Sequence, residues 1–363
     1  MVIEISPTDI NGNIDIEDTN IIIKNVTNKI KRWSWACRIL NSFDSFELDT
    51  SSVSVPTVGD IAIFKVSRIG LHKHIVTSSN KRLRIYLGDL IVGVFGNRYA
   101  TDALEGEVEG LSDLSLLTAG GMVGTVKSRH HSVSRPTQLS FVSFLNDASG
   151  QKINLKQIKF KKIQPSNHLK NIIVVVGSGM SSGKTTTCRK IIKSLSEMGL
   201  KVAACKLTGS ISNRDQDEMI SASAGYTIDF SDYGFPSTYK CDQDELLDLF
   251  NTMVSDIQKV NPDVTIMEIA DGVLQRETQM LLSNPKIQES VKGVVITADN
   301  APSALYTVAY LKNKGYNVIA VSGTMTSSPL YVREFEQNSD IQVISSAQNR
   351  KKMSSTLSKF IVI

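Results

Sequence analysis

The sequence predicts an α/β protein whose C-terminal half folds around a mostly parallel, doubly wound sheet, preceded by a small all-β, barrel-like N-terminal domain. After residue 170, apolar strand-like runs alternate with helical stretches, a pattern typical of βαβ crossovers and a parallel sheet. From residue 53 to 150, short β-type runs are separated by Gly, Asn or Asp, which is typical of a small antiparallel barrel or sandwich. A Pro-Ser-Asn linker at 165 divides the chain into domains 1–165 and 166–363.

Composition places the chain among globular proteins and argues against several classes of function. Of its 363 residues, 41% are hydrophobic and 21% are charged, and a formal net charge of +4 is too small to indicate nucleic-acid binding. No run approaches the roughly 18 apolar residues of a membrane-spanning helix. The acidic first residues lack the apolar core of a secretory signal, and the four cysteines are dispersed, so we expect a cytoplasmic protein with reduced thiols.

Two stretches of the N-terminal domain have a pattern that needs interpretation. Within residues 19–42, we expect a helix that packs Trp33, Trp35 and Leu40 against the barrel. The basic stretch 151–163 fits either a strand that faces nucleic acid or an exposed edge strand protected by its lysines. We expect the edge strand, because the stretch lacks interleaved aromatic residues.

Paired basic side chains in this domain suggest two binding sites. His72 and His74 would share one face of a strand and converge on a metal ion, although exposed positions on the barrel surface are the expectation. Arg98 and Arg129 follow strands and have the chemistry to grip an anionic group in a bidentate manner, or else they are solvated edge charges. The sequence leaves that choice open.

The strongest local signal is the stretch 171–187, NIIVVVGSGMSSGKTTT. A β-branched apolar strand leads into a glycine-rich loop, and a helix-periodic run follows as far as Met198. This order is what a phosphate-binding P-loop requires, because the N–H groups of the loop and of the helix N-terminus then point at phosphate oxygens. The spacing is G-x-x-x-x-x-G-K-T, one residue longer than the standard motif, because Ser178 stands where its first glycine belongs.

The P-loop predicts a nucleotide site with Mg²⁺. Lys184 supplies a positive charge for the outer phosphates, and the Thr185 hydroxyl is a ligand for Mg²⁺. The predicted nucleotide-binding residues are Gly177, Ser178, Gly179, Met180, Ser181, Ser182, Gly183, Lys184, Thr185 and Thr186. We therefore expect a P-loop NTPase domain that takes ATP, with GTP not excluded.

Polar residues also follow the neighbouring strands, at the carboxyl ends where ligands bind in such sheets. The third strand of this domain ends in Glu268, a predicted Mg²⁺ ligand, with Asp271 in a supporting role or capping the next helix. The second strand ends at Lys206, which would project into the same crevice. Asp215 and Asp217 follow, and either of them can complete the metal shell or cap a helix.

These motifs resemble the dethiobiotin synthetase family and its cobyrinic acid diamide synthase relatives over about residues 170–345. The long P-loop is similar, and E-I-A-D-G at 268–272 is similar to the family's E-G-A-G-G motif. Later segments of the chain, ITADNAPSAL and VIAVSGT, resemble a turn and a strand of that family. The resemblance implies that Lys206 contacts substrate and that Asp215 or Asp217 helps bind Mg²⁺. An active site shared across a homodimer interface would also fit the family.

The chain departs from the family pattern where base and substrate would be read. Residues 324–326, Thr-Met-Thr, replace the adenine-reading asparagine, and Leu207 replaces a proline. The stretches 229–240 and 271–282 have no counterpart, so we expect a different small-molecule substrate. The side chains expected near it are Asp232, Ser237, Thr238, Tyr239, Arg276 and Glu277.

Two classes of function follow. The resemblance implies a Mg²⁺-dependent, ATP-hydrolysing ligase in which a carboxylate or carbamate attacks the γ-phosphate, with Lys184, Lys206 and Arg276 as catalytic residues. The alternative is a nucleotide-gated switch or chaperone that acts on a protein partner. The loop lacks an early second lysine, and no CxxC motif or histidine cluster lies near it, which counts against the switch. A barrel that binds a macromolecule is supported only by the basic stretch 151–163.

Overall fold

A computed structural model describes residues 30, 32–40, 46–49, 55–161 and 171–345. The described N-terminal residues build one seven-stranded mixed sheet and a small two-stranded sheet. The described C-terminal residues build a six-stranded parallel sheet with helices on both faces. The predicted domain boundary at 165 lies outside the described residues.

The N-terminal sheet closes on itself as a five-stranded barrel. Its described strands are β1 (Glu47–Asp49), β2 (Ile61–Arg68), β3 (His74–Val76), β4 (Arg82–Arg84), β5 (Leu90–Phe95), β6 (Leu104–Glu107), β7 (Leu114–Leu116), β8 (Met122–Arg129) and β9 (Thr137–Asn146). Strand pairs β9–β2, β2–β5, β5–β8, β8–β7 and β7–β9 complete the ring, while β1 and β6 pair at its outside. The predicted barrel-like domain is present, but its order is mixed, because β5 and β8 run parallel.

Two predictions about the flanks of the barrel need correction. The described part of the basic stretch, 151–161, contains helix α1 (Leu155–Lys159) and not the predicted edge strand. Asn154 starts this helix by accepting a hydrogen bond from the Lys156 N–H, a local capping effect that outweighs the alternating pattern. The tryptophan-rich segment forms a 3-10 helix (Trp35–Leu40) and not a regular α-helix, although its buried residues do pack on the barrel core.

The C-terminal sheet consists of six parallel strands in the order β12-β11-β13-β10-β14-β15. Its elements are β10 (Ile172–Gly177), α2 (Lys184–Glu197), β11 (Val202–Lys206), α3 (Arg214–Ser221), β12 (Tyr226–Asp229), α4 (Gln243–Lys259), β13 (Val264–Glu268), α5 (Arg276–Leu282), α6 (Pro285–Ser290), β14 (Val291–Thr297), α7 (Ala301–Asn313), β15 (Val318–Ser322) and α8 (Pro329–Glu336). After α8, Val343 makes an isolated parallel bridge to Val321 of β15.

Alternation along β10 explains why helices cover both faces of this sheet. Ile173 and Val175 pack with apolar residues of α2 and α3, whereas Ile172, Val174 and Val176 pack with α4 and α7. A strand buried on both faces reads as a continuous apolar run, as β10 does. The carboxyl ends of β10, β11 and β13 therefore meet at one edge, where Lys206 pairs in register with Glu268.

No helix among the described residues has the length and apolar character needed to cross a membrane.

Candidate functional site

The P-loop lies between the end of β10 and the start of α2, and two neighbouring strands hold it in place. The Ser178 N–H donates to the Thr297 carbonyl at 2.8 Å, and the Ser182 and Thr297 hydroxyls are 2.7 Å apart at the end of β14. From the segment after β15, the Thr324 N–H donates to the Ser182 carbonyl at 3.0 Å. The loop is thus fixed from one side, as a preorganised phosphate site requires.

Two positions at this loop require glycine, because another segment of the backbone packs against each of them. Gly183 caps α2 with a φ of +99°, a conformation that side chains disfavour, and a Cβ there would lie 3.2 Å from the Gly323 Cα. Gly272 comes from the segment after β13, and a Cβ at that position would lie 2.6 Å from the Ser178 carbonyl oxygen. The segment that follows Glu268 therefore packs directly on the P-loop.

Lys184 is buried at the first position of α2, and its ammonium reaches both of these segments. It donates to the Gly179 carbonyl at 2.8 Å and to the Asp271 carbonyl at 2.6 Å. Burial lowers the pKa of Lys184, although the charges of Glu268 and Asp271 oppose that effect. In a P-loop this ammonium contacts the outer phosphates, so the Asp271 segment borders the position of the terminal phosphate.

Three oxygen-bearing side chains meet beside Lys184 in a way that fits Mg²⁺. The Thr185 hydroxyl lies 3.2 Å from Asp215 Oδ1 and 3.3 Å from Glu268 Oε1. Glu268 is 1% exposed, and its Oε2 is buried without a hydrogen-bond partner among the described residues, as expected of an oxygen that ligates a cation. Among the described residues no group of three or more His, Cys, Asp or Glu side chains has metal-binding geometry. Mg²⁺ needs fewer, because it usually takes one or two carboxylates together with phosphates and water.

Lys206 forms ion pairs with both carboxylates of this cluster. Its ammonium lies 2.6 Å from Asp215 Oδ2 and 3.5 Å from Glu268 Oε1. Burial disfavours the charged lysine, but the two carboxylates outweigh burial and raise the pKa of Lys206. Burial likewise opposes ionisation of Asp215, and Lys206 with the Thr185 hydroxyl keeps the pKa of Asp215 below its usual value. Lys206 therefore fixes the positions of the Asp215 and Glu268 carboxylates, and its charge is not free for a substrate.

Asp217, the other predicted metal ligand, does not join this cluster. It accepts hydrogen bonds from Asn213 at 3.1 Å and from Asn80 of the barrel at 3.3 Å. Asp215 and Asp217 lie two residues apart on α3, so their side chains point about 200° apart and only one of them can face the P-loop. The structure places Asp215 there.

The predicted substrate residues lie on the 229–240 segment and at the start of α5. Each of them already has a hydrogen-bond or ion-pair partner within the protein. Arg276 donates to Glu277 at 2.5 Å and to the Cys241 carbonyl at 2.9 Å, so its charge is neutralised, although its side chain is half exposed. Glu277 is buried and also accepts from the Lys240 N–H. Asp232 accepts from Arg38 of the barrel at 2.6 Å. The Ser237 and Thr238 hydroxyls accept backbone N–H groups, and the Tyr239 hydroxyl donates to Glu105 of the barrel at 2.9 Å.

The two histidines expected on one strand face do not converge. His72 precedes β3 and its ring hydrogen-bonds to the Leu117 carbonyl at 3.0 Å, whereas His74 is in the strand near Arg82. Burial, with help from the nearby Arg98 charge, lowers the pKa of His72 to about 4, so this ring is neutral at pH 7. Arg129 is exposed and donates to the Val133 carbonyl.

Sequence reasoning missed the contact between the barrel and the P-loop. The β5–β6 loop (residues 96–103) reaches across the domain interface, and the Ser181 hydroxyl donates to Asp102 Oδ2 at 2.5 Å. Beside this contact, the Tyr99 ring lies 5.3 Å from the Tyr239 ring. The only sequence signal was a polar cluster after β5, and nothing local indicates its partner about 80 residues away. The nucleotide site is therefore bordered by both domains.

Asp271 is a buried carboxyl group whose pKa responds to this enclosure. Burial raises the pKa of Asp271 to about 6, while Lys184 and Lys206 oppose the rise and Glu277 and Asp102 add to it. The unfolded chain has a carboxyl pKa near 4, so between about pH 4 and pH 6 the folded protein binds more protons than the unfolded chain. The contribution of Asp271 to stability therefore falls as pH rises through this window.

Replacing Asp271 with asparagine is expected to raise the free energy of unfolding at pH 7 by about 2 kcal/mol, because a buried charge disappears. Asparagine tolerates the positive φ of 59° at this position. Urea unfolding at pH 4, 5, 6 and 7 measures the effect, and the variant should show a flatter pH dependence than the wild type. A variant that is less stable than the wild type at pH 7 would contradict the assignment.

Comparisons with known proteins show likeness at low similarity only. No family model and no curated protein matches the chain. Among solved structures, the chain is similar to the signal recognition particle receptor FtsY from Elizabethkingia anophelis, with 16% identity, coverage of 57% of this chain and 70% of that chain, and a TM-score of 0.35. It is also similar to the cell division protein FtsY from Thermotoga maritima, with 17% identity, coverage of 56% of this chain and 74% of that chain, and a TM-score of 0.34. The kinase domain of the Escherichia coli tyrosine kinase ETK is similar with 15% identity, coverage of 42% of this chain and 66% of that chain, and a TM-score of 0.32.

These likenesses are too weak to carry an argument about family or function. The predicted resemblance to the dethiobiotin synthetase family gains no support, because no family model and no curated protein matches the chain. The assignment of a P-loop NTPase domain depends on the chain's own strand, loop and helix, with Lys184 and Thr185 at the start of α2.

Proposed function

We propose that the protein is a Mg²⁺-dependent nucleoside triphosphatase in which the bound nucleotide controls the contact between the barrel and the P-loop. The observation that carries this proposal is the hydrogen bond from the Ser181 hydroxyl to Asp102 of the barrel. A carboxylate from one domain thus lies on the loop that binds phosphate in the other. A triphosphate on that loop brings several negative charges toward Asp102.

The size of this repulsion supports a coupled movement. Two like charges about 4 Å apart near a protein surface repel by about 4 kcal/mol, which exceeds what one hydrogen bond to a carboxylate contributes. Triphosphate binding is therefore expected to displace the Asp102 side chain and break its hydrogen bond to Ser181. Hydrolysis and release of phosphate remove the excess charge and allow the contact to form again.

Further contacts connect the barrel to the segments around the site. Ile211, which follows β11, is buried in the barrel core, and the Gly120 backbone packs against it. Arg38 pairs with Asp232 at 2.6 Å. The segment that bears Asp215 and the segment after β12 therefore both touch the barrel. The contacts between barrel and NTPase domain therefore extend to the segment that carries Asp215.

The chain's own residues account for the binding chemistry. The P-loop N–H groups and the Lys184 ammonium would bind the phosphates, and Thr185, Asp215 and Glu268 would hold Mg²⁺. When bound, the metal ion supplies positive charge that offsets the charge of the phosphates. Lys206 keeps the two carboxylates in position through its ion pairs. The terminal phosphate would then border the Asp271 segment, and water or another acceptor would approach from the barrel side.

A second candidate is phosphoryl transfer to the carboxylate or carbamate of a small metabolite, as in a dethiobiotin-synthetase-like ligase. It is favoured by the polar side chains that both domains place near Asp271, among them Tyr99, Glu277 and Tyr239. Against it, Lys206 and Arg276 are each paired with a carboxylate, so neither cation is free for an acceptor. Hydrolysis assays with ATP and with GTP, each with and without a metabolite pool, separate the candidates. Strong acceleration by the pool supports the ligase.

Replacing Asp102 with asparagine tests the proposed coupling. Without the negative charge, triphosphate binding is expected to tighten by about tenfold, because the phosphates no longer have to displace a carboxylate. Titration calorimetry with a non-hydrolysable triphosphate measures the change. Asp113→Asn is the matched control, because Asp113 is an exposed barrel residue with no hydrogen bond or ion pair to the NTPase domain in the described chain. Equal affinities for the wild type and Asp102→Asn would refute the coupling.

A further inference from the structure

Arg98, in the β5–β6 loop, is held in a fixed position by the barrel. Its backbone exchanges two hydrogen bonds with Gly106, at 2.8 and 2.9 Å. Its Nη1 donates to the Leu117 carbonyl, which also receives the hydrogen bond from His72. The neutral His72 ring and the shared carbonyl fix the direction of the guanidinium.

Most of the N–H donors of the Arg98 guanidinium have no partner among the described residues. Among the described residues it makes one side-chain hydrogen bond and no ion pair, and its Nε is buried without a partner. Burial lowers the pKa of Arg98, and the negative charges of Asp102 and Asp271 only partly offset that effect. A partly desolvated guanidinium without a carboxylate partner is costly, because buried charges normally find a counter-ion. The arrangement favours an anionic ligand at this point.

The position of Arg98 indicates which anion this is. The negative charges of two carboxylates, Asp102 and Asp271, act on Arg98. Asp102 contacts the P-loop through Ser181, and the backbone carbonyl of Asp271 accepts a hydrogen bond from the Lys184 ammonium. Arg98 therefore lies on the side of the site where the outer phosphates bind. Lys184 is already the P-loop lysine, and two further cations near that side, Lys206 and Arg276, are paired with carboxylates.

We propose that Arg98 is a catalytic residue that binds the terminal phosphate of the nucleotide from within the same chain. This inference depends on the proposed nucleoside triphosphatase function. The water oxygen bonds to the γ-phosphorus while the bond from that phosphorus to the β–γ bridging oxygen breaks. The electron pair of that bond leaves on the nucleoside diphosphate, and one proton of the water is released to solvent. Arg98 offsets the negative charge on the γ-phosphoryl oxygens during this transfer.

Arg98 and Asp102 lie in the same loop and carry opposite charges, so a bound phosphate acts on them in opposite directions. The phosphate that repels Asp102 attracts Arg98 four residues earlier. Nucleotide binding therefore replaces one barrel contact at the P-loop with another. The loop would sense the terminal phosphate and take part in its transfer.

The test compares wild-type protein with Arg98→Ala and Arg98→Lys in the full chain. Alanine is expected to lower kcat for hydrolysis by about 1000-fold, while lysine recovers part of that loss. Binding of nucleoside diphosphate should stay within about threefold of wild type in both variants. Arg135→Ala, which removes an exposed barrel arginine, is the matched control.

A second measurement does not depend on turnover. Aluminium fluoride with a nucleoside diphosphate and Mg²⁺ stands in for the phosphoryl group in transfer, and it should tighten diphosphate binding by the wild type but not by Arg98→Ala. Thermal unfolding of both variants confirms that they fold, and Arg98→Lys keeps the test valid if alanine destabilises the barrel. If Arg98→Ala kept the turnover and the aluminium fluoride response of the wild type, the role of Arg98 would be refuted and the proposed function would stand. A wild-type protein that binds no nucleotide would instead overturn the proposed function.

Discussion

Replacing Lys184 with alanine should weaken triphosphate binding on the order of 100-fold, or about 3 kcal/mol, because one fully buried ammonium no longer meets the outer phosphates. Its position supports this expectation: the ammonium lies between the Gly179 and Asp271 carbonyls, at the mouth of the P-loop. Calorimetry with ATP and with GTP, each with Mg²⁺, measures the effect and also identifies the preferred base.

The control for Lys184 is Lys193→Ala on the same helix. Lys193 faces solvent and pairs with Glu197 at 3.7 Å, so its loss should leave nucleotide affinity unchanged. Equal affinities for Lys184→Ala and wild type would show that this loop does not bind phosphate in the way we describe.

Replacing Glu268 with glutamine is expected to lower hydrolysis by about 100-fold at low Mg²⁺, with partial recovery as Mg²⁺ is raised. The amide keeps the shape of the side chain but removes the charge of the proposed metal ligand, whose Oε2 has no hydrogen-bond partner among the described residues. The substitution also leaves Lys206 with Asp215 as its remaining carboxylate partner in the cluster. A Mg²⁺ titration of hydrolysis, with thermal unfolding in parallel, measures both effects.

Asp217→Asn is the matched control for the metal site. Asp217 interacts with Asn213 and Asn80 and not with Thr185, so its substitution should leave Mg²⁺ activation unchanged. If Asp217→Asn shifted the Mg²⁺ dependence and Glu268→Gln did not, the assignment of the metal ligands would be wrong.

The sequence predicted well those features whose signal is local. The strand, glycine loop and helix from 171 to 198 lie close together in the chain, and β10 reads as buried because it is apolar on both faces. The same reasoning placed Lys206 and Glu268 at adjacent strand ends, where the register of β11 and β13 pairs them. It did not decide between Asp215 and Asp217, because that choice depends on how α3 is rotated.

Features that depend on distant partners were not predictable in this way. The stretch 151–163 alternates like a strand, yet the cap at Asn154 makes part of it helical. The strand β12 was missed, because two of its four residues are polar and only packing against β11 reveals it. The contact from Asp102 to Ser181 joins residues 79 positions apart, and no periodicity in either segment encodes it.

The central claim is that nucleotide on the P-loop alters the barrel contact, and hydrogen–deuterium exchange of the full chain tests it most directly. Saturating a non-hydrolysable triphosphate with Mg²⁺ should protect the P-loop amides at 178–186 and, at the same time, change exchange in the β5–β6 loop and its flank at 98–106. Nucleoside diphosphate should protect the P-loop with a smaller effect on the barrel. Protection of the P-loop with unchanged exchange at 98–106 would contradict the account.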